Sequence, residues 1–327
     1  MTPKLIPMIS ASLALVGALI YGSSDFLGGL AAKRLRSIFV TAVSAASGLA
    51  ALIVALPFVT GLWSLTDVTW GVLAGTVAVI AIALLYACLA IGPMSILSPL
   101  TAVVSAIAPM LWGLLVNGET LGLVGYLGLG VALVAVVLVG FIPGQQVVRT
   151  TARGLVMAVG AGLAIGAFLI LIDQTSSESG VVPLVMSRTT SLVITAIVVG
   201  GLVVAAVRRG GTVSSALDAA GPVLGATPSG HADLEHATMR ATESAPQQTR
   251  TRAIWLAIAC GVIDAFANVL MLVALRTGDL AIVSALTALY PAGTILLAGI
   301  VLRERVAAVQ WVGLALALVA GGMLALA

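Results

Sequence analysis

From Val68 to Gly118 the chain carries no Asp, Glu, Lys or Arg. A helix of about 20 apolar residues crosses the ~30 Å hydrocarbon core of a bilayer. The window therefore holds two crossings, separated by the tight break Ile91-Gly92-Pro93-Met94. The rest of the chain agrees, with 61% hydrophobic and 8% charged residues over 327 positions, where a soluble domain carries about 25% charged. No soluble fold can solvate such a surface, so the chain reads as an integral membrane protein. Ala, Leu and Gly dominate, and the apolar runs are continuous rather than alternating. That favours helices over barrel strands, because a helix satisfies its backbone groups within one segment.

Ten spans are expected. Five run roughly over 8–30, 38–60, 69–90, 94–116 and 122–142, and five more roughly over 154–173, 182–207, 253–275, 280–301 and 307–326. The first is read as a helix and not a signal peptide, since its apolar stretch is long and no Ala-x-Ala site follows. The halves echo each other. Gly92, Ile96, Ser98, Leu100, Thr101 and Ala102 recur as Gly278, Ile282, Ser284, Leu286, Thr287 and Ala288 at one constant offset. Glu119 matches Glu304, and Gly128 matches Gly313, with the offset shortened by one. A repeat of five spans is odd, so the second copy enters the bilayer from the opposite side. The expected architecture is all-α, with ten transmembrane helices as two inverted five-helix repeats at 1–145 and 146–327.

Charge placement sets the sidedness. The odd-numbered connections hold 12 basic residues, from Lys33, Arg34 and Arg36 to Arg303 and Arg305, whereas the other face holds only Lys4 and Arg276. The positive-inside rule makes the crowded face cytoplasmic and puts both termini outside, in a multi-pass protein of the inner or plasma membrane. The basic residues sit at helix ends, so the net charge of +3 does not imply nucleic-acid binding. Residues 210–251 are small, polar and rich in Gly, Pro, Ser and Thr, the composition of a disordered cytoplasmic loop. His231, Asp233, Glu235 and His236 cluster there but lack a scaffold, so no metal site is expected. Cys88 and Cys260 lie within spans as small apolar packers.

Span order, duplication and motifs together resemble the drug/metabolite transporter superfamily, and within it the EamA family. The motifs are Ser-x-Leu-Thr-Ala…Gly-Glu-Thr and its copy ending Arg-Glu-Arg. Tyr21-Gly22-Ser23-Ser24-Asp25-Phe26 is similar to the family's Trp-Gly-Ser-Ser-x-Phe, and Pro183…Ser187-Arg188 to its Pro-to-Arg spacing with one residue fewer. Span 2 departs from the pattern, having Ser37-Ile38-Phe39-Val40-Thr41-Ala42 where the repeat would repeat the Arg. The outside termini depart too, since members are more often drawn with termini inside. The resemblance implies transport of small organic molecules by alternating access, often export, without ATP hydrolysis.

A charge near mid-membrane costs at least ~2.5–3.5 kcal/mol. Arg188 sits six residues into span 7, about 9 Å from the outer face, and Asp264 on span 8 lies at about 12 Å from that face. Opposite charges at matching depth should pair, and Asn268 follows one turn later on the same face as Asp264. The pair either fixes helix packing or lines a cavity for substrate or proton; both readings stand. Asp25, about 12 Å from the inner face, is a proton-coupling candidate or an Asp satisfied by Ser23, Ser24 or interfacial water. Tyr21 belongs to the same motif, and Thr287 is a further polar candidate. Pro109 and Pro291 free the carbonyls of Ser105 and Thr287, so kinked spans 4 and 9 are expected, as cavity walls or as kinks satisfied by hydroxyls. Tyr86, Trp112 and Tyr290 offer an aromatic wall, although packing or interfacial anchoring explains each alone. Gly71-x-x-x-Gly75 and Gly162-x-x-x-Gly166 permit close helix approach. Glu119 and Glu304 read as caps near the next helix.

The expected function is a secondary transporter, a probable exporter of small metabolites or drugs, with proton coupling and homodimerisation left open. A membrane-embedded enzyme wants His, a Cys dyad or paired Asp in the bilayer. Both histidines lie in the loop, Asp25 and Asp264 sit at different depths, and no Gly-x-x-x-x-Gly-Lys-[Ser/Thr] motif is present. Neither a catalytic residue nor a cofactor is expected. A non-transporting scaffold remains the other alternative.

Overall fold

The computed structural model describes residues 5–32, 34–57, 61–91, 94–140, 152–218, 249–301 and 307–327. The first half forms α1 (Leu5–Ala32), α2 (Ser37–Ala55), α3 (Leu65–Ile91), α4 (Met94–Leu115) and α5 (Leu123–Gly140). The second forms α6 (Ala152–Asp173), α7 (Val182–Arg208), the short α8 (Val213–Leu217), α9 (Arg250–Thr277), α10 (Leu280–Thr287), α11 (Tyr290–Val301) and α12 (Ala308–Ala325). Among the described residues, 9 apolar stretches are long enough to cross a membrane, and the shorter Leu100–Leu115 in α4 supplies a further crossing. The fold is all-α, with no strand among the described residues.

Packing runs mostly between halves, and the most extensive contacts have their images when spans 1–5 are exchanged with spans 6–10. α1 lies along α9 as α6 lies along α3. α3 packs on α7 as α9 packs on α2, and α4 packs on α6 as α10 and α11 pack on α1. The mates α2 and α7, α4 and α10, and α5 and α12 touch each other directly. A two-fold relation between halves produces this pattern, and an odd number of spans per half makes them antiparallel. The boundary expected at 145/146 falls outside the described residues.

Lipid tails are as apolar as Leu, so close packing and hydrogen bonds must hold these helices together. Both small-residue motifs lie at such crossings. A Cβ on Gly71 would stand 2.6 Å from the Pro183 carbonyl of α7, and one on Gly162 2.7 Å from the Thr101 carbonyl of α4. Hydroxyls add direct bonds across the same contacts. Ser44 donates to the Ala257 carbonyl at 2.8 Å, Ser191 to that of Gly75 at 3.2 Å, and Thr101 to that of Ala158 at 3.1 Å.

Two expectations change. Spans 4 and 9 do not bend alike: α4 runs unbroken through Pro109, while span 9 divides at Ala288–Leu289 into α10 and α11. Around Pro109, Gly166 of α6 packs against the proline ring and the Ser105 carbonyl, so helix contact and not an open cavity covers that wall. In span 9 the Leu289 amide turns to the Leu286 carbonyl, and Pro291 begins the next segment without a donor. The loop expected to be disordered from residue 210 instead begins with α8. Its end docks on the first connection, where the Arg36 amide donates to the Leu217 carbonyl at 2.8 Å and Arg34 faces Asp218 at 3.7 Å. Residues 219–248, with His231, Asp233, Glu235 and His236, lie outside the described residues.

Candidate functional site

α7 starts after Gly180, whose φ of 54° turns the chain, and Pro183 stands in its first turn, where a missing amide costs nothing. This start places Arg188 less than two turns into the helix. α9 begins on Thr249, which accepts from the Arg252 amide at 3.4 Å, and carries Asp264 and Asn268 on its buried face. Arg188 Nη2 and Asp264 Oδ2 form a direct ion pair. Asn268 Nδ2 donates to the Asp264 carbonyl at 2.8 Å and to Oδ2 at 3.1 Å, so one carboxylate oxygen receives both side chains. The matching depths read from the sequence do bring these three groups together.

α1 adds the other members. The Tyr21 hydroxyl donates to Met271 Sδ at 3.5 Å and lies within electrostatic reach of Asp264, Arg188 and Asp25. Tyr21, Asp25, Asp264 and Asn268 have no exposed surface, and Arg188 is 4% exposed. Ser23 donates to the Leu19 carbonyl at 2.9 Å and Ser24 to the Cys260 carbonyl at 3.1 Å. With ionised side chains the cluster holds two carboxylates against one guanidinium. Asn268 Oδ1 and Thr287 Oγ1, both buried, have no hydrogen-bond partner among the described residues. Such groups cost about 1–3 kcal/mol each, which makes them the atoms a polar guest would satisfy.

Thr287 ends α10 and Tyr290 opens α11, so the break in span 9 lies between them. Tyr290 and Pro291 are buried, and Thr294 donates to the Gly22 carbonyl at 3.0 Å, which fixes α11 against the Tyr21–Asp25 turn. Trp112 is elsewhere, 38% exposed beside Leu111, which is 48% exposed. Tyr86 belongs to α3, and its side chain lies outside the described residues. An apolar cleft of about 180 Å³ opens between α1, the α10–α11 break and α12, lined by Leu15, Leu19, Leu289, Leu296 and Trp311 among others.

The even-numbered connections are tied to one another by polar groups that sequence reasoning did not single out. Asp67 accepts from the Ser176 amide at 2.7 Å and hydroxyl at 2.8 Å. Arg276 donates to the Ser179 hydroxyl at 3.0 Å and the Gly180 carbonyl at 2.6 Å. The Ser64-x-x-Asp67 spacing is a helix-start signal with Ser64 as the cap, accepting from the Asp67 amide at 3.0 Å, but nothing local names Ser176 as the partner of Asp67. Glu119 is a cap, as expected, yet of a different helix. Its two oxygens accept from the Leu280 amide at 2.8 Å and the Ala281 amide at 2.9 Å, at the start of α10 and not of α5.

Residues 239–326 match the model of the EamA-like transporter family, a family of membrane transporters within the drug/metabolite transporter superfamily. None of the curated proteins matches this chain. A solved structure described only as "Crystal structure of protein" is similar at 15% identity, with a TM-score of 0.64 over 96% of each chain. That likeness shows a shared fold along nearly the full length.

Proposed function

We propose, for a chain whose residues 239–326 match the EamA-like transporter family, that it is a secondary transporter carrying a small organic solute across the membrane by alternating access. The observation that carries this reading is a buried polar cluster: the Arg188–Asp264 pair with Asn268 from the second half and Tyr21 from the first, with Asn268 Oδ1 and, at the end of α10, Thr287 Oγ1 unsatisfied among the described residues. Ionisable groups within a bilayer are retained where they serve ion or substrate pathways. A solute with hydrogen-bonding groups would satisfy both orphan atoms, while Tyr21 and Tyr290 would face its apolar part. Asp25, fully buried in α1 and within electrostatic reach of Tyr21, is the proton-coupling candidate. The direction we favour is export from the cell, and the work done is carriage without covalent chemistry.

The test is a solute screen in proteoliposomes with an imposed pH gradient, comparing wild type with Asp25→Asn. A gradient should speed wild-type flux, whereas Asp25→Asn should keep solute exchange at zero gradient and lose at least about tenfold of the gradient-driven rate, the effect of removing one proton-coupled step worth ~1.4 kcal/mol. Gradient-driven flux that survives in Asp25→Asn would remove Asp25 from coupling. A protein inert towards every solute class would remove the transporter reading itself.

A further inference from the structure

α10 is the only one of the described helices in which every residue is buried, from Leu280 to Thr287. It packs against α1, α4, α5, α9 and α12, and it ends on Thr287 and the break in span 9. A helix enclosed in this way cannot leave its first amides to water, and the Asp279 side chain at its N-cap makes no capping bond. The cap arrives from the other repeat. After α4, Gly118 adopts a φ of 71°, a conformation that suits glycine, and turns the chain back so that the Glu119 amide donates to the Gly113 carbonyl at 3.0 Å. That return delivers both carboxylate oxygens to the Leu280 and Ala281 amides, where the helix dipole favours negative charge. Gly113 has no side chain to obstruct the approach, for a Cβ there would fall on the Glu119 carboxylate and 3.0 Å from the Ala281 amide.

We infer that Glu119 is the latch of the face built by the even-numbered connections, holding α10 closed against α9 and releasing it when that face opens. The inference rests on the transporter reading and deepens it by naming a positioning residue for alternating access. Glu119 touches no solute; it acts through α10. The Ala288–Leu289 break separates α10 from α11, and the two Glu119 bonds at its far end are the polar contacts that must part when it moves. Asp67 and Arg276 tie neighbouring connections on the same face, but neither is bonded to α10.

Accessibility tests this without any solute. In the full chain with Cys88→Ala and Cys260→Ala, a reporter cysteine is placed either at Ser284, one turn inside the latch, or at Thr101, in the half of α4 towards the opposite face; both positions are buried. A membrane-impermeant maleimide is applied to each face of reconstituted vesicles in turn. With Glu119→Gln, labelling of the Ser284 reporter from the latch face should rise about tenfold, while labelling of the Thr101 reporter from the opposite face falls. Gly113→Ala, which displaces the carboxylate without changing it, should give the same opposed shifts. General loosening of the structure raises both rates, and that outcome overturns the proposal, as does unchanged labelling in both variants. Because no solute is used, a failure of transport leaves this result interpretable, and a failed latch leaves transport standing.

Discussion

Asp264→Asn is expected to stop transport and also to cost about 3–5 kcal/mol of stability, because it leaves the Arg188 guanidinium charged and buried without its counter-ion. From the sequence alone the pair reads either as a packing device or as a cavity lining; the direct pair and the near-zero exposure of both partners add a stability cost to the loss of function. The decisive variant removes both charges. Arg188→Met with Asp264→Leu takes away the orphan charge and the cost of desolvating the pair, so most of the lost stability should return. Uptake should not. Thermal unfolding in detergent, read beside proteoliposome uptake for the two single variants and the double, separates the roles. A double variant that melts like wild type and still transports would make the pair a packing device only. One that is stable and inert would assign it to the carrier cycle.

Gly22→Leu should be among the most damaging single changes in the chain. Gly22 of α1 lies against the backbone of α11, and a Cβ there would meet the Tyr290 carbonyl, the Thr294 amide at 2.6 Å and the Gly293 Cα at 2.8 Å. Backbone cannot rotate away as a side chain can, so the helices must separate and the Thr294–Gly22 hydrogen bond is lost. Overpacking of this kind costs about 1–3 kcal/mol and occasionally more, and here it also pulls α11 off the Tyr21–Asp25 turn. The control is Gly201→Leu on α7, where nothing stands within 4 Å and the added side chain meets lipid. Size-exclusion profiles and melting temperatures should show Gly22→Leu aggregated or strongly destabilised and Gly201→Leu close to wild type. Equal behaviour of the two would refute the close crossing of α1 and α11.

Much of this was legible in the sequence because the signals are local. Bilayer thickness converts a charge-free run directly into helices, and the recurrence of Ser98–Ala102 at Ser284–Ala288 converts two halves into one duplicated plan. Depth along a helix is a matter of rise per residue, so Arg188 and Asp264 could be matched across α7 and α9 by arithmetic. Even the glycine motifs of α3 and α6 announced close crossings, though without naming α7 and α4 as their partners.

Other features depend on neighbours distant in sequence. The repeat suggested like bends at Pro109 and Pro291, yet a proline only removes one hydrogen bond. Whether the helix then breaks depends on what packs beside it, and Gly166 supports α4 where span 9 divides. Glu119 had the composition of a cap, but its helix was chosen by the relation between halves, which brings the end of α4 to the start of α10. Trp112 and Tyr290 look alike as membrane aromatics, and only packing leaves one open and buries the other at the span 9 break. Hydropathy and periodicity are properties of a segment and survive without a partner. Caps, kinks and buried polar contacts are properties of a pair, and the second member is supplied by the fold.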